Sequence, residues 1–546
     1  MVAAVDASSL PRRRALSERQ FDILAVAIVA LVFAIPLRGL LRAQGPPMEE
    51  GFMLVFPERV LKGAIPNRDF LHLYGPGSLW ALAGVFKVFG VSLLTERFFG
   101  VAQQLAIVFG VFTLARPWGR TVAVAGALTS GFVIIPFGLT ALAWVGGVGL
   151  ALCGLAFGIH KRSFTAGLLL GLAILFRLDL ILAVALASFA LARGLDRPRV
   201  KRLLLGMATG LAPYAIHVAT AGPGHVFKGM VLDPVFHLRG GRSLPLPPPW
   251  SHLDGFLQRA GALAQLDWPI PSLARPHQLF VSFFVLLGAI GLLLYAAWRA
   301  IRAEPASITA RILLVVALFS LGIVPQVLQR VDSAHFEWVA CVPFGFLPVA
   351  LFDVARRHWP GVKPVRLAQA AGAATLALVI FLLPAFTVST WADYALQTFG
   401  SHRTAYKISH DGRTFYYGKQ DRARGAQEVI DATAAITKPG QKLFVGPVNL
   451  RKTPYSDAYL YYMLPNLVPG TYYIEMDPGV ANTDDSGLDK QLAASDVAIL
   501  SSIWDNWSEP NDSRKTGSAK AQQVLARDFC HVGTYQGLYR LYRKCH

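Results

Sequence analysis

Two adjacent carboxylates, Glu49 and Glu50, follow directly after the first long apolar segment of the chain. Acidic residues beside a membrane segment are costly to keep there, so the pair requires an explanation. A carboxylate of this kind can act as a general base, deprotonating a hydroxyl group as it attacks an activated carbon, or can help to bind a divalent cation. The structural alternative is a solvated helix start, because acidic residues are favourable near a helix N-terminus.

A second candidate cluster contains Arg177 and Asp179, at a turn between two short apolar segments. The planar guanidinium group of arginine suits bidentate contact with a phosphate, and Asp179 would orient that group. A buried arginine–aspartate pair can also be purely structural, and this alternative stays open.

The third cluster contains Arg330, Asp332 and His335, within one short turn between apolar segments. Arg330 and His335 can neutralise the negative charge that develops on a leaving phosphate. The alternative is that the three residues cap the flanking helices and interact with lipid headgroups. We favour the functional interpretation because the three clusters are expected on the same membrane face.

The composition indicates where these clusters must be held. Of the 546 residues, 54% are hydrophobic and 16% are charged, and the mean hydropathy is +0.44. Soluble domains carry roughly 25% charged residues. The composition therefore excludes a soluble enzyme, a disordered chain and a secreted disulfide scaffold.

Apolar segments through the first 390 residues predict about eleven transmembrane helices, because a backbone inside hydrocarbon must satisfy its own hydrogen bonds. They cover 21–43, 97–115, 121–138, 140–159, 164–177, 179–194, 203–221, 279–298, 311–328, 337–354 and 368–388. The predicted fold class is mainly α: a polytopic helical membrane protein, followed by a smaller C-terminal α/β domain.

Basic residues predict the orientation, because cytoplasmic loops accumulate lysine and arginine. They cluster in alternate loops, at Arg12–Arg14, Arg19, Arg116, Arg120, Lys161, Arg162, Arg193, Arg197, Arg199, Lys201, Arg202, Arg299, Arg302, Arg311, Arg356, Arg357, Lys363 and Arg366. This places the tail 1–20 in the cytoplasm and the C-terminal domain outside. The net charge of +19 is thus a topology signal, and no nucleic-acid partner is expected.

Three segments are predicted outside: 44–96, which carries the acidic pair, 222–278, and the domain 391–546, which follows the membrane domain 21–390. In the first, residues 52–62 and 76–90 could form helices that lie on the membrane surface. The second contains polar residues that are either solvated or part of a lid over an acceptor, namely Lys228, Asp233, His237, Arg239 and Arg242.

The C-terminal domain alternates helix-like and strand-like segments. A helix is predicted at about 425–436, and strands are predicted at 442–447, 494–501 and 535–542. Cys530 and Cys545 could form a disulfide in an oxidising compartment.

The outer segment 44–96 resembles a known family. After the acidic pair come Leu61-Lys62-Gly63-Ala64-Ile65-Pro66-Asn67-Arg68-Asp69-Phe70 and then Gly75-Pro76-Gly77, before a predicted surface helix. This order of motifs is similar to that of GT-C glycosyltransferases, in the branch of protein O-mannosyltransferases and lipid A aminoarabinose transferases. The resemblance covers roughly residues 20–390.

The resemblance implies transfer of a sugar from a polyprenyl-phosphate carrier at the outer membrane face. It implies that Glu49 is the base and that Glu50 positions it or contacts the acceptor. The donor phosphate would be bound by Arg177, Arg330 and His335, supported by Asp69, Asp179 and Asp332. This sequence departs from the pattern in two ways: relatives more often carry aspartate at the first acid, and the second outer loop, near 135–140, has no acidic residue.

The function predicted from the sequence is an inverting membrane glycosyltransferase, with an envelope glycan, lipid or protein as acceptor, in a bacterial cell membrane. Membrane lipids are expected as further partners, and no cofactor is certain, although a divalent cation is possible. The alternatives are a transporter or flippase of a lipid-linked or anionic solute, and a non-catalytic scaffold. A transporter usually shows paired halves with polar residues near the membrane midplane, and neither feature is visible here.

Overall fold

The computed structural model describes residues 17–46, 48–255, 268–400, 405–505 and 509–545. Residues 1–16 of the predicted cytoplasmic tail lie outside the described residues. Helices dominate the part that precedes residue 400, where the apolar segments are found. Their bounds are Glu18–Ala34, Leu37–Leu40, Glu49–Leu61, Gly77–Phe89, Leu93–Ala115, Arg120–Ile134, Ala143–Ile159, Ser163–Phe176, Ile181–Ala192, Arg197–Leu211, Pro213–Ala221, Pro223–Phe227, Lys228–His237, Arg239–Arg242, Arg275–Ala303, Ile308–Gln329, Ser333–Gly345, Leu347–His358, Pro364–Ala377, Leu378–Leu382 and Val388–Thr398.

Within the described ranges, eight helical segments are long and apolar enough to cross a membrane. They are Glu18–Leu40, Leu93–Trp118, Arg120–Phe137, Arg197–Ala221, Arg275–Ala303, Ile308–Gln329, Ser333–His358 and Pro364–Leu382. The three other segments predicted to span form shorter apolar helices, Ala143–Ile159, Ser163–Phe176 and Leu178–Ala192. The prediction of a polytopic helical membrane protein is confirmed.

Large apolar side chains cover the outside of the helical region, as expected where the solvent is lipid. Leu31, Phe189 and Leu205 are each about 60% exposed, and their helices turn other apolar residues inward. Exposure of this extent on successive helices would be unfavourable in water. The chain is therefore a multi-pass membrane protein.

The helix Glu49–Leu61 differs from the surface helix that the sequence predicts. Every residue from Glu50 to Glu58 is buried, so the helix is covered on all sides and does not lie half-exposed on a membrane. At Gly51, a Cβ atom would collide with the backbone nitrogen of Tyr459, in the C-terminal domain. The absence of a side chain at Gly51 allows this close approach.

The C-terminal region contains two sheets. Strands β1 (Tyr406–His410) and β2 (Arg413–Tyr417) form a hairpin, closed by Asp411 and Gly412, which both have positive φ. Asp-Gly is the sequence that a two-residue hairpin turn of this geometry prefers.

The second sheet contains the strands β3 (Lys442–Pro447), β4 (Val468–Pro469), β5 (Val497–Ser501), β6 (Phe529–Tyr535) and β7 (Tyr539–Lys544). Their order is β4-β3-β5-β7-β6; β3 pairs in parallel with β4 and β5, whereas β5–β7 and β7–β6 pair antiparallel. The helices of this region are Gln420–Ile436, Tyr459–Met463, Leu488–Ala493 and Lys520–Asp528. The predicted α/β character of this region is confirmed, and Cys530 and Cys545 form a disulfide.

Polar contacts connect the C-terminal region to the segment 44–96. Arg413 donates to both carboxylate oxygens of Glu58, each at 2.8 Å. The backbone nitrogen of Leu71 donates to the carbonyl oxygen of Tyr472 at 2.9 Å, and the Tyr472 hydroxyl donates to the carbonyl oxygen of Asn67 at 2.8 Å. The two regions are therefore in direct contact.

Candidate active site

One cavity lies where the start of helix Glu49–Leu61, two turns between membrane helices and the C-terminal region meet. Its charged lining residues are Glu49, Arg177, Arg242, Arg330 and His335. Aromatic side chains complete the wall, namely Phe52, Tyr74, Trp144, Trp338 and Tyr455. The structure thus brings together four of the residues that the sequence singles out, although they are up to 286 positions apart, from Glu49 to His335.

Glu49 is the carboxylate that faces this cavity. It is the first residue of its helix, lies deep in the protein, and keeps part of its surface accessible. Among the described residues, nothing hydrogen-bonds its Oε2 atom. The pKa of Glu49 is raised to about 8, mainly by burial and in part by the nearby Glu475, while the helix backbone and Arg242 oppose the rise. Such a carboxyl is mostly protonated at pH 7 and is available as a base as the pH approaches 8; a raised pKa of this kind is typical of groups used in general acid–base chemistry.

Glu50 points elsewhere. It is fully buried, and its two oxygens accept from Arg97 Nε at 2.7 Å and Arg97 Nη2 at 2.8 Å. Arg97 also donates to the carbonyl oxygen of Leu40 at 3.1 Å. Glu50 is not part of the cavity wall, so its geometry supports a structural role and not the contact with Glu49 or the acceptor that the resemblance implies.

Arg177 presents its guanidinium to the cavity between aromatic rings. Its Nε and Nη2 donate to the two oxygens of Asp179 at 3.0 and 2.6 Å, as the sequence predicts. The Cζ atom lies 4.1 Å from the ring centre of Tyr74 and 5.4 Å from that of Trp144. The pairing with Asp179 uses the edge of the guanidinium formed by Nε and Nη2. Nη1 lies on the other edge and takes no part in this pairing.

Asp332 organises the third cluster. It accepts from Arg330 Nε at 2.7 Å and from the backbone nitrogen of His335 at 2.9 Å, which caps the helix that starts at Ser333. Burial raises the pKa of Asp332, but His335 and Arg330 outweigh that effect and hold the pKa well below its usual range. Because Asp332 is ionised, His335 Nδ1, at 2.8 Å, donates to it, which leaves Nε2 for other contacts.

Asp69, the remaining supporting residue, is outside the cavity. Its carboxylate accepts from the backbone nitrogen of Ile65 at 2.8 Å and from Arg68 Nε at 3.0 Å. These bonds close the turn that precedes Phe70. The geometry therefore supports a role in shaping the outer loop.

Arg242, Glu475 and Asp477 are site residues that the sequence does not identify as such. Arg242 pairs closely with Asp477, and its Nη2 lies 3.7 Å from Glu475. Its buried Nε has no hydrogen-bond partner within the described part of the chain. Both oxygens of Glu475 are also buried and have no hydrogen-bond partner among the described residues. Burial raises the pKa of Glu475 to about 7. Arg242 is visible in the sequence only as one of several polar residues in the segment 222–278.

The cavity is small in this conformation. It offers about 50 Å³, enough for a few water molecules, whereas sites for drug-sized ligands are typically about 300–1,000 Å³. In the ranges that the structure describes, no group of three or more histidine, cysteine, aspartate or glutamate residues is arranged to hold a metal ion.

Two solved structures resemble this one over nearly the whole chain. The crystal structure of ArnT from Cupriavidus metallidurans bound to undecaprenyl phosphate has a TM-score of 0.50 and 15% sequence identity, and the match covers 96% of this chain and 98% of that chain. ArnT from the same organism in the apo state has a TM-score of 0.50 and 16% identity, covering 96% and 97%. No protein-family model and no curated protein matches the sequence.

The class of protein follows from these observations. The chain is a polytopic membrane protein with a C-terminal α/β region and the GT-C type of fold that ArnT has. The fold expected from the acidic pair and the motifs of the segment 44–96 is therefore confirmed.

Proposed function

We propose that this protein is a membrane glycosyltransferase that moves a sugar from a polyprenyl-phosphate-linked donor to a hydroxyl group of an envelope glycan, lipid or protein. The main support is the cavity in which Glu49, with its raised pKa, meets three arginines and a histidine. The fold adds support, because ArnT was crystallised with undecaprenyl phosphate, a lipid of the proposed carrier class.

In the proposed reaction, the acceptor oxygen attacks the anomeric carbon of the donor. The bond between that carbon and the phosphate oxygen breaks, and its electron pair leaves with the polyprenyl phosphate. Glu49 takes the proton of the attacking hydroxyl. Attack opposite to the leaving group inverts the anomeric centre.

The cationic wall would bind the leaving phosphate and stabilise its charge. Arg177 is best placed for this, because its pairing with Asp179 and its stacking on Tyr74 hold the guanidinium rigidly. At the same cavity, Arg242 Nε has no hydrogen-bond partner among the described residues, and His335 uses Nδ1, not Nε2, for its bond to Asp332. Fixed cations stabilise developing charge without reorganisation, which is the largest contribution in many enzymes.

The distribution of basic residues supports a location of this cavity at the extracytoplasmic face, with the N-terminus in the cytoplasm. The arginine-rich loops lie at the opposite ends of the helices from Glu49 and Arg177. A lipid carrier in the outer leaflet of a bacterial cell membrane would then reach the cavity sideways, with its phosphate at the level of the helix ends.

The pH dependence tests the proposed base. Because the pKa of Glu49 is about 8, we expect kcat/KM to rise about tenfold per pH unit below pH 8 and to level off above it. Glu475→Gln removes a negative charge that raises this pKa, so the rise should move to lower pH. A kcat/KM that stays constant between pH 6 and 8 would argue against Glu49 as the base.

Binding of the carrier tests Arg177. Replacing Arg177 by glutamine should weaken binding of undecaprenyl phosphate about 10- to 100-fold, because a charge-assisted hydrogen bond contributes roughly 1.5–3 kcal/mol. Binding is measured on the purified chain in nanodiscs. Arg239→Gln is the matched control, because Arg239 is exposed and outside the cavity wall. If Arg177→Gln and wild type bind undecaprenyl phosphate with equal affinity, Arg177 does not bind the phosphate.

A further inference from the structure

Arg330 lines the cavity, and its guanidinium is paired with the carboxylate of Glu509. Its Nη1 donates to Glu509 Oε2 at 2.7 Å, and its Nη2 donates to Glu509 Oε1 in a still shorter contact. The pair is bidentate, and the side chains of Arg330 and Glu509 are only 5% and 2% exposed. Glu509 therefore occupies the edge of Arg330 with which an arginine would grip a phosphate.

The other donors of Arg330 are bound within the membrane domain. Nε is paired with Asp332 at 2.7 Å, and Nη1 also donates to the carbonyl oxygen of Arg242 at 2.8 Å. These contacts orient the guanidinium without Glu509. Loss of Glu509 would leave Arg330 in place, with its anion-binding edge open.

Glu509 belongs to a segment of the C-terminal region that contacts both Arg330 and the segment 239–244. Asn511 donates from Nδ2 to Glu509 Oε2 and to the carbonyl oxygen of Ser243, both at 3.0 Å. The contacts at Arg330 therefore join three separate parts of the chain: the turn at 330–335, the segment 239–244 and the segment 509–514. Parting these contacts would enlarge the cavity.

We propose that Glu509 is a stand-in for the donor phosphate: it occupies a phosphate subsite on Arg330 and is displaced when the polyprenyl phosphate binds. This inference rests on the proposed function. It explains why the cavity, with about 50 Å³, is too small for a sugar phosphate. It also makes the predicted role of Arg330 in phosphate binding consistent with the structure, in which Glu509 blocks the edge of the guanidinium that would bind the phosphate.

The test compares binding of undecaprenyl phosphate to the full chain in nanodiscs for wild type, Glu509→Gln and Glu509→Ala. Both substitutions remove the competing negative charge and leave Asp332 as the carboxylate paired with Arg330, so we expect affinity to rise about tenfold. Glu509→Gln keeps the shape of the side chain and serves if the alanine variant fails to fold. Asp512→Asn is the matched control, because Asp512 is an exposed carboxylate in the same segment, paired with Lys515; its affinity should stay at the wild-type value.

A second readout separates displacement from a merely structural contact. In wild type, undecaprenyl phosphate should increase amide hydrogen exchange in residues 509–514, because the segment loses its anchor on Arg330. Unchanged or weaker binding in a folded Glu509→Gln variant would overturn the inference. In that case carrier binding that still depends on Arg177 would leave the proposed function intact, whereas no binding to any variant would count against both.

Discussion

Replacing Arg97 by leucine is expected to lower the free energy of unfolding by about 3–5 kcal/mol, which is the usual cost of leaving one partner of a buried ion pair alone. Glu50 is fully buried, and both of its oxygens depend on Arg97. Without the guanidinium, the carboxylate must stay charged in an apolar environment or take up a proton. Thermal unfolding of the purified variant in detergent measures the loss.

The double variant Glu50→Leu/Arg97→Leu supplies the control. Replacing a buried ion pair by apolar side chains of similar size is often neutral or stabilising, so most of the lost stability should return. We also expect the double variant to retain turnover, because neither residue is part of the cavity wall. A Glu50→Gln variant with wild-type stability but no turnover would contradict the structural role and restore Glu50 to the chemistry.

Glu49→Gln is expected to reduce kcat by about 10²–10⁴-fold, the usual contribution of a general base. Glutamine preserves the shape and removes the proton acceptor, so binding of undecaprenyl phosphate should persist. Glu49→Asp retains the base but withdraws it by one methylene, and a displacement of about 1 Å can cost roughly 10²-fold. The measurement is sugar release from the carrier under single-turnover conditions.

Asp69→Asn is the matched control for this experiment, because Asp69 lies in the same outer segment but outside the cavity wall. Its turnover should remain close to that of wild type. Turnover by Glu49→Gln at the wild-type rate would show that another group accepts the proton, and Glu475 would be the next candidate because it is buried nearby without a hydrogen-bond partner in the described ranges.

The membrane helices and the polar residues at their ends could be predicted because the signals are local. An apolar segment predicts its own helix, and Arg177 and Asp179 are two positions apart, so their pairing is visible in the sequence. Predicting that Glu49 and His335 come together required one further inference, namely that successive loops alternate between the two faces of the membrane.

The partners of Glu50 and Arg330 could not be predicted in this way. Glu50 and Glu49 are adjacent and identical in type, and only the fold shows that one faces Arg97 and the other the cavity. Glu509 meets Arg330 across 179 positions of sequence. Such contacts depend on how the C-terminal region docks, which no periodic pattern encodes. The sequence contains one signal of a buried ion pair: the charged residues Glu96 and Arg97 stand at the start of a membrane helix, where an unpaired charge would be costly.

The most direct test of the proposed function is sugar transfer by the purified wild-type protein in sealed proteoliposomes. A panel of radiolabelled polyprenyl-phosphate sugars is supplied as donors, with crude envelope extract as acceptor. We predict that one donor loses its sugar to the extract and that free polyprenyl phosphate appears in equal amount. Movement of intact labelled carrier across the bilayer without cleavage would contradict the proposal and identify the protein as a transporter.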